Sequence, residues 1–232
     1  MKMRPLFRPQ FGTPKLLNSH ATVSDYEACI SWAWWNALEQ QGIAAGDSVL
    51  RVNLDETSVS LGHAGQRGVV LPSTGNTDMA LVPKKNPHRG AVTHVAMICD
   101  DAAVQPLLPQ FIIANEHLVR KADLPAALGF LLPNVYLLRQ KSGWVDTSVF
   151  CQILQVLKKS LLATGTPRRI LLLLDACTVH LHALSLQTAR RLGIRLCFIP
   201  TKMTWLLQPL DSHVFARYKC YIRQAYTAEQ LR

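Results

Sequence analysis

One stretch limits the fold more than any other. Arg168 and Arg169 lead into five aliphatic residues, Ile170 to Leu174, and the run stops at Asp175. A short continuous apolar run bounded by polar residues predicts a strand buried on both faces. Open α/β sheets place their ligand sites at the C-terminal ends of such strands, which is where Asp175 stands. Thirty-six positions later Asp211 follows Gln208-Pro209-Leu210. Pro209 bars a helix from running through that position. Beyond it, Phe215, Tyr218 and Ile222 fall at helical spacing from Asp211 and put this aspartate on the core-facing stripe of its own helix. An ionised group pointed inward needs a cation or a metal. The two aspartates therefore suggest a shared divalent ion.

Hydrophobic residues make up 49% of the 232 and charged residues 17%, a balance that suits a packed core and excludes a disordered chain. The longest apolar region, Ala126 to Leu138, is broken by Pro133 and Asn134 and is too short to span a bilayer. Met1 to Gln10 is basic and proline-containing, without the apolar segment of a signal peptide. Six scattered cysteines with no CxxC pair predict reduced thiols rather than a disulfide framework or a zinc site. The formal charge of +10 favours polyanionic partners, nucleic acid being the commonest.

Residues 1 to 20 read as an irregular lead-in, and Asp25 to Gln41 as a helix carrying Trp32, Trp34 and Trp35. From Ser48 to Asp55, Leu50, Val52 and Leu54 oppose Arg51, Asn53 and Asp55. That alternation predicts a strand with one polar face, ending at a third carboxylate. Val69 to Leu71 reads as a short strand within a glycine-dotted and then basic region up to residue 90. Two more strands, Val92 to Cys99 and Gln110 to Ala114, flank Asp100-Asp101, read as a solvated turn. Leu124 to Leu132 fits either a short helix or the approach to a strand. After Thr147, a plausible cap, Phe150, Ile153, Leu154, Leu157 and Leu161 hold helical spacing. A helix from Ala183 to Leu192 closed by Gly193, a strand from Arg195 to Ile199 and the Asp211 helix complete the order. This pattern predicts one mixed α/β sheet flanked by helices. The same pattern predicts a lead-in and helix over residues 1–47 and a single domain over residues 48–232.

Three converging aspartates coexist in ionised form only around hard cations, and carboxylate oxygens favour Mg²⁺ or Mn²⁺. Four motifs, in this order, resemble the DDE-superfamily endonuclease domain of mariner/pogo/jerky-type transposases: Asn53-Leu54-Asp55-Glu56-Thr57, Ser142-Gly143-Trp144, Leu174-Asp175 through His180, and Leu207-Gln208-Pro209-Leu210-Asp211 followed by Phe215 and Tyr218-Lys219. The resemblance covers roughly residues 50 to 226. It implies a ribonuclease-H-like fold, with Asp55, Asp175 and Asp211 as catalytic ligands of two Mg²⁺ (or Mn²⁺) ions. It also implies DNA as substrate, cleaved and joined, a nuclear location and room for a homodimer on transposon ends. By the same resemblance Glu56 and His180 match motif positions outside the ligand triad. His180 either contacts phosphate, orders Asp175 or is a packed structural histidine. Two departures stand out: Ala176 follows Asp175 where many members have Asn, and no helix-turn-helix region of the usual kind precedes the core. A second function class therefore stands beside the nuclease, a catalytically silent, domesticated nucleic-acid-binding protein.

Overall fold

The computed structural model describes residues 25–27, 29–30, 32–33, 49–60, 91–129, 131–163, 165 and 169–230. Six strands build one sheet: β1 (Val49–Ser60), β2 (Ala91–Cys99), β3 (Gln110–Asn115), β4 (Val135–Gln140), β5 (Arg169–Asp175) and β6 (Ile194–Ile199), in the order β4-β3-β2-β1-β5-β6. β1, β2 and β3 form an antiparallel meander, β4 runs parallel beside β3, and β5 and β6 run parallel to β1. The helices are α1 (Leu124–Gly129), α2 (Thr147–Leu162), α3 (Thr178–Leu181), α4 (Ala183–Arg191), α5 (Thr204–Leu207) and α6 (Phe215–Gln230), with a π turn, Leu210–Val214, leading into α6.

The spacing in α2 puts Phe150, Ile153, Leu154, Leu157 and Leu161 on one face, and all five are buried. They share a core with Leu50, Val52 and Leu54 of β1, Ile113 of β3, and Leu172 and Leu174 of β5. Burying each such side chain contributes roughly 1.5–3 kcal/mol, which fixes the helix on the sheet. The opposite sheet face is covered at Ala96 and Ile98 by Leu210, Val214, Phe215 and Tyr218. Helices thus lie on both faces of a mixed sheet, as the strand and helix order predicts.

Several expected boundaries change. β1 does not end at Asp55: it continues to Ser60, because β2 keeps pairing with it down to Ser60 opposite Ala91, and Thr57 and Val59 go on alternating into buried positions. β5 is buried more on one face than the other, with Leu171 and Leu173 only half covered. Leu124 to Gly129 is helical rather than the approach to a strand. β4 escapes sequence reading because it is an edge strand without a single fully buried residue, so no hydrophobic alternation marks it. The cap of α2 is Asp146, whose side chain accepts from Val149 N at 2.8 Å, one residue before Thr147.

Asp100 and Asp101 do form a turn: Asp100 pairs with Arg51 at 2.8 Å, and Asp101 Oδ1 accepts from Ala103 N. None of the six cysteines is joined in a disulfide. Among the described residues no helix is long and apolar enough to cross a membrane. Positions 25–27, 29–30 and 32–33 are helical, in line with the Asp25 helix. The lead-in, Trp34 and Trp35, the glycine-dotted segment, the Val69–Leu71 strand and the basic region up to residue 90 lie outside the described residues.

Candidate active site

The parallel register of β1 and β5 pairs Val49 with Arg169 and, four residues on, Asn53 with Leu173. Two residues further along each strand stand Asp55 and Asp175. Neighbouring strands run about 4.8 Å apart, so the register brings together two carboxylates distant in sequence. Asp55 therefore meets its partner from within β1, while Asp175 does end its strand as expected.

Asp211 arrives from the other sheet face, in the first turn of the π segment. It does not share the core-facing stripe of its helix. A π turn holds more residues per turn than an α-helix, which shifts the phase. Leu210 and Phe215 take the buried positions and Asp211 is exposed. It nevertheless lies within electrostatic reach of Asp55.

The Asp55 carboxyl is pushed up to about 7, first by burial, then by the charge of Asp211, with Asp175 adding to the effect. Two groups oppose this. The Glu56 N–H donates to Asp55 Oδ1 at 2.8 Å, and the Gln208 side chain favours the ionised form. Gln208 is fully buried, beside the Asp211 turn.

Asp175 has a different environment. His180 Nδ1 lies 2.8 Å from its Oδ1, and this hydrogen bond holds the carboxyl below the usual carboxylate range against the effect of burial. Burial alone would discharge His180, but contacts with Asp175 and Cys177 outweigh it and raise the imidazole to about 10. The ring packs against Phe150 at 4.5 Å between centroids, and Nε2 sits 3.9 Å from Glu56 Oε1. Glu56 is itself pushed up to about 7, chiefly by burial, with His180 opposing and Asp175 reinforcing the shift. Of the open roles for His180, two have geometry behind them: the bond that orders Asp175 and the packing of the buried ring against Phe150.

Sequence reading missed two residues of this site. Asn53 is buried and bridges β1 to both flanking elements, and Gln208 is buried against Asp55. Both belong to the quoted motifs, but neither carries a charge that would mark it as a ligand in the sequence.

The family model of the DDE superfamily endonuclease matches residues 93–232. The chain belongs to that family. The matched span includes Asp175 and Asp211, while Asp55 precedes it. Among solved structures, the chain is similar to a Mos1 transposase paired-end complex with left transposon end (TM-score 0.52, 15% identity, covering 95% of this chain and 53% of that one). It is also similar to a Mos1 mariner paired-end complex with Mn (TM-score 0.52, 13% identity, 97% and 60%) and to a pre-cleavage Mos1 transpososome (TM-score 0.50, 14% identity, 95% and 54%). At such identities the likeness is one of fold, a ribonuclease-H-like mixed sheet flanked by helices. The chain spans a little over half the length of those transposases. No curated protein sequence matches it.

Proposed function

We propose that residues 48–232 form the catalytic domain of a transposase or transposon-derived nuclease, with Asp55, Asp175 and Asp211 as ligands of two divalent metal ions. The observation that carries this reading is the state of Asp55. Its carboxyl is half-buried at the end of the β1–β5 register, and burial together with the charges of Asp211 and Asp175 pushes it up to about 7. Such a cluster costs the folded chain free energy unless a cation neutralises it. The donors offered are carboxylate oxygens, which suit Mg²⁺ or Mn²⁺. When bound, the metal would activate a water or a 3′-hydroxyl and stabilise the leaving oxygen of a phosphodiester.

The chain's own residues supply the rest. His180 fixes the orientation of the Asp175 carboxylate through the 2.8 Å contact, and Asn53 sets the spacing of the three elements that bear the aspartates. The formal charge of +10 supplies attraction for the DNA backbone. A nuclear location and a homodimer on transposon ends belong to the same reading and rest on the family resemblance.

Cleavage of labelled duplex DNA with Mg²⁺ or Mn²⁺ tests it, comparing the chain with Asp211→Asn. Because Asp211 is exposed, that change removes a charge without stranding a buried partner. Metal-dependent nicking that falls to background in the variant is expected. Salt-sensitive DNA binding by both proteins, with nicking by neither, would overturn catalysis and favour the silent DNA-binding protein.

A further inference from the structure

Cys177 follows Asp175 by two residues and serves as the N-cap position of α3, yet its thiol makes no capping hydrogen bond. It lies beside the Asp175–His180 pair. One ligand atom from each of Asp175, Cys177 and His180 lies within 4.8 Å of the other two. A tetrahedral zinc ion with ordinary bond lengths wants such atoms roughly 3.5 Å apart, so shifts of up to about 1.3 Å would enclose one.

A second observation points the same way. His180 is buried, and its Nε2 has no hydrogen-bond partner among the described residues. That nitrogen faces Glu56 Oε1 at 3.9 Å. A histidine that binds metal through one nitrogen commonly donates from the other to a carboxylate, which fixes the ring and raises its basicity. Glu56 stands on the side of the ring opposite Asp175 and would take that role once its Oε1 closes from 3.9 Å to hydrogen-bond distance.

We infer that Asp175, Cys177 and His180 form a zinc site that shares Asp175 with the all-oxygen aspartate cluster and excludes the hard ion from it. The thiolate and imidazole select a softer metal than three carboxylates do. On binding, the Cys177 thiol proton and the His180 Nδ1 proton pass to solvent. The ion takes the place of the 2.8 Å hydrogen bond between His180 and Asp175. The site itself stands on its own geometry. Its inhibitory consequence rests on the nuclease reading above.

Cobalt(II) replaces zinc as the probe, titrated into the full chain under reducing conditions. The expected signal is a thiolate-to-cobalt charge-transfer band in the near ultraviolet, absent in Cys177→Ser. The other five cysteines are unchanged in that variant, so its loss assigns the ligand. Glu56→Gln should keep the band while weakening affinity about 10- to 100-fold, the usual effect of removing an outer-shell partner. A band that persists in Cys177→Ser, or none in the wild-type chain, overturns the site.

Zinc added at fixed Mg²⁺ should suppress DNA nicking, and at least about tenfold more zinc should be needed for Cys177→Ser, each protein being compared with its own zinc-free rate. A Cys177-dependent band in a chain that never nicks DNA upholds the site and sinks the nuclease. Nicking with a Cys177-independent cobalt signal does the reverse.

Discussion

Asn53 Oδ1 accepts a hydrogen bond from the backbone N–H of Leu210 at 2.9 Å, across 157 positions of sequence. The other end of the same amide donates to the carbonyl of Leu173 at 3.0 Å. One buried side chain thus ties together the strand of Asp55, the strand of Asp175 and the turn of Asp211. Its orientation follows from the partners, since only the oxygen can face an N–H and only the nitrogen a carbonyl.

Replacing Asn53 by Leu should therefore cost more than its volume suggests. A buried N–H and a buried carbonyl lose their partner together, for about 1–3 kcal/mol each at most. Denaturant unfolding should show a lower midpoint with an unchanged slope. Nicking should fall further than the folded fraction does, because the spacing of the aspartates is lost. A variant with wild-type midpoint and activity would remove Asn53 from its positioning role.

The pH dependence has a defined sign. Asp55 and Glu56 both have folded pKa values raised from about 4 to about 7. The folded chain holds their protons more tightly than the unfolded chain, so their contribution to stability is present below about pH 4 and is lost as pH rises to about 7. His180, raised to about 10, contributes stability that is full below about 6.5 and is lost only as pH climbs through its folded value. Without divalent ions, thermal stability should therefore decline between pH 4 and 7. On the proposed reading Mg²⁺ binds the ionised aspartates, so the gain in Tm on adding it should grow over that interval. Asp55→Asn should make the metal-free chain more stable at pH 7.5 while abolishing the Mg²⁺ effect. A Mg²⁺ effect that is independent of pH would contradict this account.

The two candidate caps of α2 separate cleanly. Asp146→Ala removes the bond to Val149 N and should cost about 1 kcal/mol. Thr147→Ala, already inside the helix, should stay within about 0.5 kcal/mol. Equal effects in chemical denaturation would contradict the assigned cap.

Much of this fold is legible without coordinates. The aliphatic run into Asp175, the alternation around Leu50, Val52 and Leu54, and the helical spacing from Phe150 to Leu161 are local patterns. They reflect periods of about two and 3.6 residues that any strand or helix imposes on its neighbours. The four ordered motifs likewise carry the likeness to the DDE family in the sequence itself. What sequence could not settle depends on partners far along the chain. β1 runs past Asp55 because β2 pairs with it, and β4 exists because β3 offers an edge. The turn after Pro209 takes π geometry, which buries Leu210 and Phe215 and leaves Asp211 outside. The offset of β1 against β5 decides that Asp55 and Asp175 are neighbours, and Asn53 and Gln208 have roles only once three separate elements close around them. Periodicity is written in successive residues, whereas register and closure are set by packing between segments a hundred or more residues apart, and only the tertiary structure fixes those.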